Sequence, residues 1–182
     1  MTGKEKKISG ETKFDGRIFR VELDSIELPN GKPAFREVVR HPGACCVVPL
    51  TDDGNVICVR QFRYPFSTET LEIPAGKLDK GDAEEPSGCA RRELKEETGA
   101  SADELIFLGE YWPSPAILDE RIYMYLARGL RFGKTDFDDG EFITLERIPL
   151  ARLTEMIMNG EIPDGKTQTA ILKTRLWLEK HL

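Results

Sequence analysis

A chain of 182 residues with 40% hydrophobic and 32% charged side chains holds enough apolar material for one domain with a small additional arm. Its net charge of −6 argues against a nucleic-acid backbone as partner, and no run approaches the roughly 20 apolar residues of a membrane helix. Four cysteines (Cys45, Cys46, Cys58, Cys89) form no Cys-x-x-Cys pair, which disfavours zinc and points to a reduced, cytoplasmic setting.

The polar, Lys-bearing start Met1–Gly10 reads as a frayed end and not as a secretory signal. Arg17–Leu28 and Lys32–Arg40 then form a predicted hairpin around Pro29-Asn30-Gly31-Lys32. Cys45–Leu50 and Asn55–Gln61 are read as a second strand pair joined by Thr51-Asp52-Asp53-Gly54, and their Val, Ile and Cys content requires at least one buried face. Thr70–Ile73 is a short strand that breaks at Pro74-Ala75-Gly76. Glu85–Thr98 is a helix, with Pro86 in its first turn and Gly99 as its stop. Leu105–Trp112 and Arg121–Ala127 are strands joined by the loop Pro113–Glu120, and Phe142–Ile148 is another. Leu150–Asn159, stopped by Gly160, and Thr167–His181 close the chain as helices. Many strands with few helices predict an α/β sandwich around a mixed sheet.

The helix at Arg92–Gly99 carries the clearest chemical signal. Glu93, Glu96 and Glu97 stand at i, i+3 and i+4, so they share one face at 3.6 residues per turn. The like-charged i, i+4 pair repels by a few tenths of a kcal/mol, and a divalent cation reverses that sign. The competing reading is an ordinary solvated glutamate face, which high helix propensity favours.

Together with the upstream segment, this helix resembles the Nudix hydrolase box, Gly-x5-Glu-x7-Arg-Glu-U-x-Glu-Glu-x-Gly-U, where U is aliphatic. The matching residues are Gly76, Glu84, Arg92, Glu93, Leu94, Glu96, Glu97 and Gly99. Two departures exist: seven residues separate Gly76 from Glu84, and Ala100 stands where the family has a larger aliphatic. Placing the extra pair in the helix would rotate its catalytic face by about 200°. Placing it in Lys80-Gly81-Asp82-Ala83 rotates nothing, and the loop placement is adopted.

The resemblance implies a Nudix-type α/β/α sandwich over residues 41–182, preceded by antiparallel strands in a 1–40 arm for dimerisation and substrate contact. It implies Mg²⁺ (or Mn²⁺) held by Glu93, Glu96, Glu97 and the carbonyl of Ala75, with Arg92 pairing with Glu84. From about Arg36 to Leu172 the chain further resembles the ADP-ribose pyrophosphatase branch, through Arg36-Glu37-Val38-Val39, His41-Pro42-Gly43-Ala44, Arg60-Gln61-Phe62-Arg63-Tyr64, Ser114-Pro115-Ala116 with Asp119-Glu120, and Asp164-Gly165-Lys166-Thr167. Ala116 departs from the branch's glycine. The branch implies substrate contacts at Arg36, Glu37, Arg63, Glu72, Ser114 and Glu120. It also implies Glu141 as a further metal ligand and Asp139 as general base, with Glu93, Glu97, Asp139 and Glu141 forming the catalytic set. His41 is read as structural.

The activity expected from this resemblance is hydrolysis of ADP-ribose to AMP and ribose 5-phosphate by a homodimer that builds each site from two chains. The alternatives are another nucleoside diphosphate sugar, a dinucleotide such as NADH, or a ligand-binding regulator without turnover.

Overall fold

A computed structural model describes residues 3–78, 85–134 and 142–181. The chain divides into two compact units, one of Met1–Gly43 with Trp112–Arg121 and one of Ala44–Tyr111 with Ile122–Leu182.

The first unit is built on an antiparallel sheet of β1 (Lys6–Asp15), β2 (Arg20–Glu27) and β3 (Pro33–Arg40), in that order. The predicted hairpin is β2–β3, with Arg20 opposite Arg40 and Glu27 opposite Pro33. Residues Lys6–Gly10, expected to fray, instead open β1. Every residue of β1 is exposed, so no alternation of apolar residues marks it, and backbone pairing with β2 alone fixes it. Two register shifts and several lysines give it the character of a protected edge strand. Along the other edge, Val39 and the Trp112–Arg121 segment exchange backbone bonds: Val39 N–H donates to the Ile117 carbonyl (2.7 Å) and Asp119 N–H to the Val39 carbonyl (3.1 Å).

The second unit holds the sandwich. A mixed four-stranded sheet runs β7 (Ala75–Lys77), β4 (Ala44–Pro49), β9 (Ile122–Phe132), β8 (Ala100–Tyr111), with β4 and β9 parallel and the other pairs antiparallel. A second sheet runs β10 (Thr144–Pro149), β5 (Asn55–Arg63), β6 (Thr68–Glu72). The expected pairing of Cys45–Leu50 with Asn55–Gln61 is therefore corrected: β4 and β5 lie in different sheets, joined by the isolated bridge Leu50–Val56. Their burial explains why. All six residues of β4 are buried, so it needs cover on both faces, and a hairpin partner in its own sheet plane supplies none.

Alternation along β4 and β9 sorts that cover. Cys45, Val47, Tyr125 and Ala127 face Cys89, Ala90 and Leu94 of α1 (Pro86–Thr98). Cys46, Val48, Met124 and Leu126 face Val56 and Cys58 of β5 and Leu153, Ile157, Ala170 and Ile171 of α2 (Leu150–Met158) and α3 (Gly165–His181). Complete burial of Leu94 alone contributes about 2 kcal/mol to holding α1 on the sheet. The Pro74-Ala75-Gly76 break is also corrected: Ala75 and Gly76 open the three-residue strand β7, paired with Cys46 and Cys45. Among the described residues no helix is long and apolar enough to cross a membrane.

Candidate active site

Helix α1 starts and stops where its sequence requires. Glu85 is its extended N-cap, with Pro86 following in the first turn, and Gly99 adopts φ 70° while its N–H donates to the Lys95 carbonyl. Within those limits the four-residue spacing places Glu93 and Glu97 on the side turned toward β7. Both are almost fully buried, at 8% and 4% exposure. Glu97 Oε2 accepts the Ala75 N–H at 3.3 Å. Glu93 lies so close to the Gly76 α-carbon that a β-carbon there would stand 1.8 Å from Oε1 and 2.1 Å from Cδ. Glycine is needed at 76 for space, because its φ lies outside the left-handed region.

Arg92 sits among these carboxylates. Its guanidinium donates to Glu93 Oε1 (2.5 Å), Glu96 Oε2 (2.8 Å) and the Lys77 carbonyl (3.2 Å). This positive charge offsets the repulsion between neighbouring glutamates and ties the helix to β7. The expected partner Glu84 lies outside the described residues, as do the Lys80–Ala83 loop, Asp139 and Glu141. Among the described residues no three His, Cys, Asp or Glu side chains are gathered into a cluster able to hold a metal ion. What the helix and β7 do bring together is two carboxylates, Glu93 against Gly76 and Glu97 on the Ala75 N–H, and carboxylate oxygen is the ligand type that hard divalent cations select.

A second cluster forms in the same unit. Glu72, 1% exposed, accepts two bonds from Arg63 at 2.6 Å each, one from Thr70 at 2.6 Å, and an ion pair from Lys166. Burial pushes the Glu72 carboxyl up, but Arg63, Lys166 and Thr70 outweigh it and hold its pKa at about 2. Lys166 is likewise opposed by burial, yet Asp164 and Glu72 raise its pKa. These groups line a cavity of about 420 Å³ that Phe66 and Pro163 also border. The sequence points to Arg63 and Glu72 but assigns no role to Lys166, although the Asp164-Gly165-Lys166-Thr167 segment is visible in it. Asp164 caps α3 through the Thr167 N–H (2.9 Å), which places Lys166 in the first turn.

The remaining expected contacts lie in the first unit. Arg36 and Glu120 line one cavity of about 470 Å³. Glu37 is exposed and follows Arg36 on β3, so the two side chains leave opposite faces of the strand. The Ser114 carbonyl accepts the Ile117 and Leu118 N–H groups (3.1 and 2.9 Å), shaping the turn that carries Pro115 and Ala116. His41 Nδ1 accepts the Gly43 N–H at 3.1 Å and lies 3.4 Å from Glu120. This contact is consistent with a packing role for His41.

Residues 39–167 match the model of the NUDIX domain, and residues 5–39 that of the nucleoside diphosphate sugar hydrolase N-terminal domain. The chain is 41% identical over 169 residues to the ADP-ribose pyrophosphatase of Bacillus subtilis (strain 168), spanning 92% of this chain and 90% of that protein. It is 40% identical over 169 residues to the methanol dehydrogenase activator of Bacillus methanolicus, with the same shares of 92% and 90%. A crystal structure of an ADP compounds hydrolase superposes with a TM-score of 0.86 at 25% identity, covering 100% of this chain and 97% of that one.

Proposed function

The chain belongs to the Nudix hydrolase family, and from that premise we propose that it hydrolyses the diphosphate bond of ADP-ribose to AMP and ribose 5-phosphate with Mg²⁺ (or Mn²⁺). The observation that carries this reading is the seating of Glu93 and Glu97 on β7, with a glycine where any side chain would displace Glu93. Similarity to the Bacillus subtilis pyrophosphatase supports the choice of substrate.

In this reading Glu93, Glu96, Glu97 and the Ala75 carbonyl would hold the cation, and Glu141 would add a ligand. When bound, it supplies neutralising charge for the diphosphate. The protein's own groups do the rest. Arg92 fixes Glu93 and Glu96, and the Ala75 amide fixes Glu97. Arg63 and Lys166 present two cations to a phosphate, with Glu72 keeping them ordered until an anion arrives. Asp139 takes the proton of the attacking water as general base. Arg36, Glu37, Ser114 and Glu120 contact the nucleoside and ribose.

Residues 1–40 act as a dimerisation arm on the 41–182 hydrolase domain, and the exposed Ile8, Phe14, Ile18 and Phe35 of that arm support a homodimer. Four free, buried cysteines support a cytoplasmic setting.

The test is a panel of ADP-ribose, NADH and other nucleoside diphosphate sugars incubated with Mg²⁺, with the product phosphates identified. Release of AMP and ribose 5-phosphate from ADP-ribose is expected. A stronger preference for another diphosphate would move the reading to that substrate. Binding without turnover across the panel would replace it with a regulator.

A further inference from the structure

Between the two clusters of the second unit the chain changes sheets. Strand β6 ends at Glu72, paired with Val59 in the sheet of β5 and β10, and β7 begins at Ala75, paired with Cys46 in the four-stranded sheet. Ile73 and Pro74 make the crossing, and Ile73 is fully buried. A buried backbone N–H that leaves its ladder needs another partner. Pro74 carries no N–H, so the demand falls on Ile73. Its N–H donates to the Thr167 hydroxyl oxygen at 3.0 Å, from 94 positions away.

Thr167 is well placed to accept that bond. It is itself fully buried in the first turn of α3, where its own N–H donates to Asp164 Oδ2 at 2.9 Å. The residue before it, Lys166, pairs with Glu72. Two consecutive residues of the helix thus grip two consecutive residues of the crossing. The fastening continues beyond Ile73: the Pro74 carbonyl accepts the Val47 N–H at 3.0 Å, and the Ala75 N–H donates to Glu97 at 3.3 Å. The stretch Ile73–Ala75 therefore connects the cation cluster around Glu72 to the carboxylates of α1.

We infer that Thr167 is a positioning residue for the proposed reaction, its hydroxyl fixing the sheet crossing and with it the Ala75 backbone relative to Glu72 and Arg63. This role rests on the proposed metal set, in which the Ala75 carbonyl would hold the cation; Thr167 acts through that backbone and not on the cation itself. A methyl in place of the hydroxyl leaves the Ile73 N–H buried and unpaired, and the crossing must shift to satisfy it.

Thr167→Val keeps the shape and removes the acceptor, whereas Thr167→Ser keeps the acceptor. With Mn²⁺ alone as the probe, titration followed by electron paramagnetic resonance should give Thr167→Val a Kd about tenfold above wild type, the scale of losing a group that orients a ligand. With ADP-ribose and saturating Mg²⁺ its kcat should fall by at least about tenfold, while KM stays within about threefold because Arg63 and Lys166 remain. Thr167→Ser should recover most of both losses. A role confined to satisfying the Ile73 amide lowers Tm alone. Wild-type Mn²⁺ affinity and kcat in folded Thr167→Val, or a serine variant no better than the valine one, therefore overturns the proposal. Should Thr167→Val fail to fold, the wild-type chain decides. Its Ile73 and Thr167 amide resonances should shift with that of Ala75 as Mg²⁺ is added, and a response confined to Ala75 overturns the role. Weakened Mn²⁺ binding in a chain that does not hydrolyse ADP-ribose upholds Thr167 and removes only the substrate. Absence of Mn²⁺ binding in the wild-type chain ends the metal set and this role together.

Discussion

Replacing Gly76 with alanine separates the fold from the proposed chemistry. The added β-carbon would stand 1.8 Å from Glu93 Oε1, and real β-carbons do not approach heavy atoms within 3.0 Å, so the carboxylate must retreat by at least about 1.2 Å. The clashing atoms are the far end of a flexible side chain, and the backbone at 76 is one that alanine adopts. The helix can therefore stay while Glu93 swings. The swing removes the Arg92–Glu93 bond, worth about 1.5 to 3 kcal/mol for a charged pair. Alanine returns about 0.4 to 1 kcal/mol by restricting the unfolded chain. The net cost is about 0.5 to 2.6 kcal/mol, a fall in Tm of about 1 to 10 °C for a chain of this size. Turnover should fall far more, by about 100-fold, because a reacting constellation displaced by about 1 Å loses that much. Thermal unfolding and initial rates of AMP release, measured on the same preparation, give both numbers. Retention of more than half the wild-type turnover, or failure to fold, would refute the reasoning.

Glu97→Gln removes one charge from the proposed metal set and should lower kcat by at least about 100-fold at saturating Mg²⁺; near-normal rates would sink the assignment. Glu72 has a folded pKa of about 2 against an ordinary 4.5, a depressed carboxylate whose stabilisation is present above the unfolded value and fades as pH falls from about 4.5 toward 2. The shift corresponds to about 3 kcal/mol. Glu72→Gln should thus lose about that much unfolding free energy at pH 7 in denaturant titrations, with the gap narrowing steadily on acidification; a gap independent of pH would contradict the ion-pair account. If the exposed apolar residues of β1–β3 are covered by a second copy, sedimentation at micromolar concentration should give a dimer, whereas a monomer hydrolysing ADP-ribose at full rate would end the shared-site model.

The carboxylate helix was more legible in the sequence than the strand order. Glu93, Glu96 and Glu97 declare a common face through spacing alone, and Pro86 and Gly99 mark the helix around them, so α1 falls within one residue of its predicted bounds. Strand β1 was invisible because none of its residues is buried and periodicity reports burial, not pairing. The partners of β4 and β5 were misread for the opposite reason: a strand buried on both faces loses its alternation, leaving the short turn at Thr51–Gly54 as the strongest local cue. Lys166 joins Glu72 across 94 positions, a distance no local pattern encodes. The role of Gly76 was half legible. The sequence marks it as fixed in the box, but only the approach of Glu93 says what the missing side chain makes room for.

All four native thiols are buried, Cys45 and Cys89 in contact at 2.6 Å with the Cys45 pKa driven upward by that contact and by burial. Thiol reagents such as maleimides, which need an accessible thiolate, therefore find no ready target on the native fold. Cysteines introduced at exposed Ser9 and Ser101, one in each unit, would become the two labelled positions without removing any natural one. A dye pair there turns the chain into its own ruler, reporting the separation of the two units as nucleotide is added.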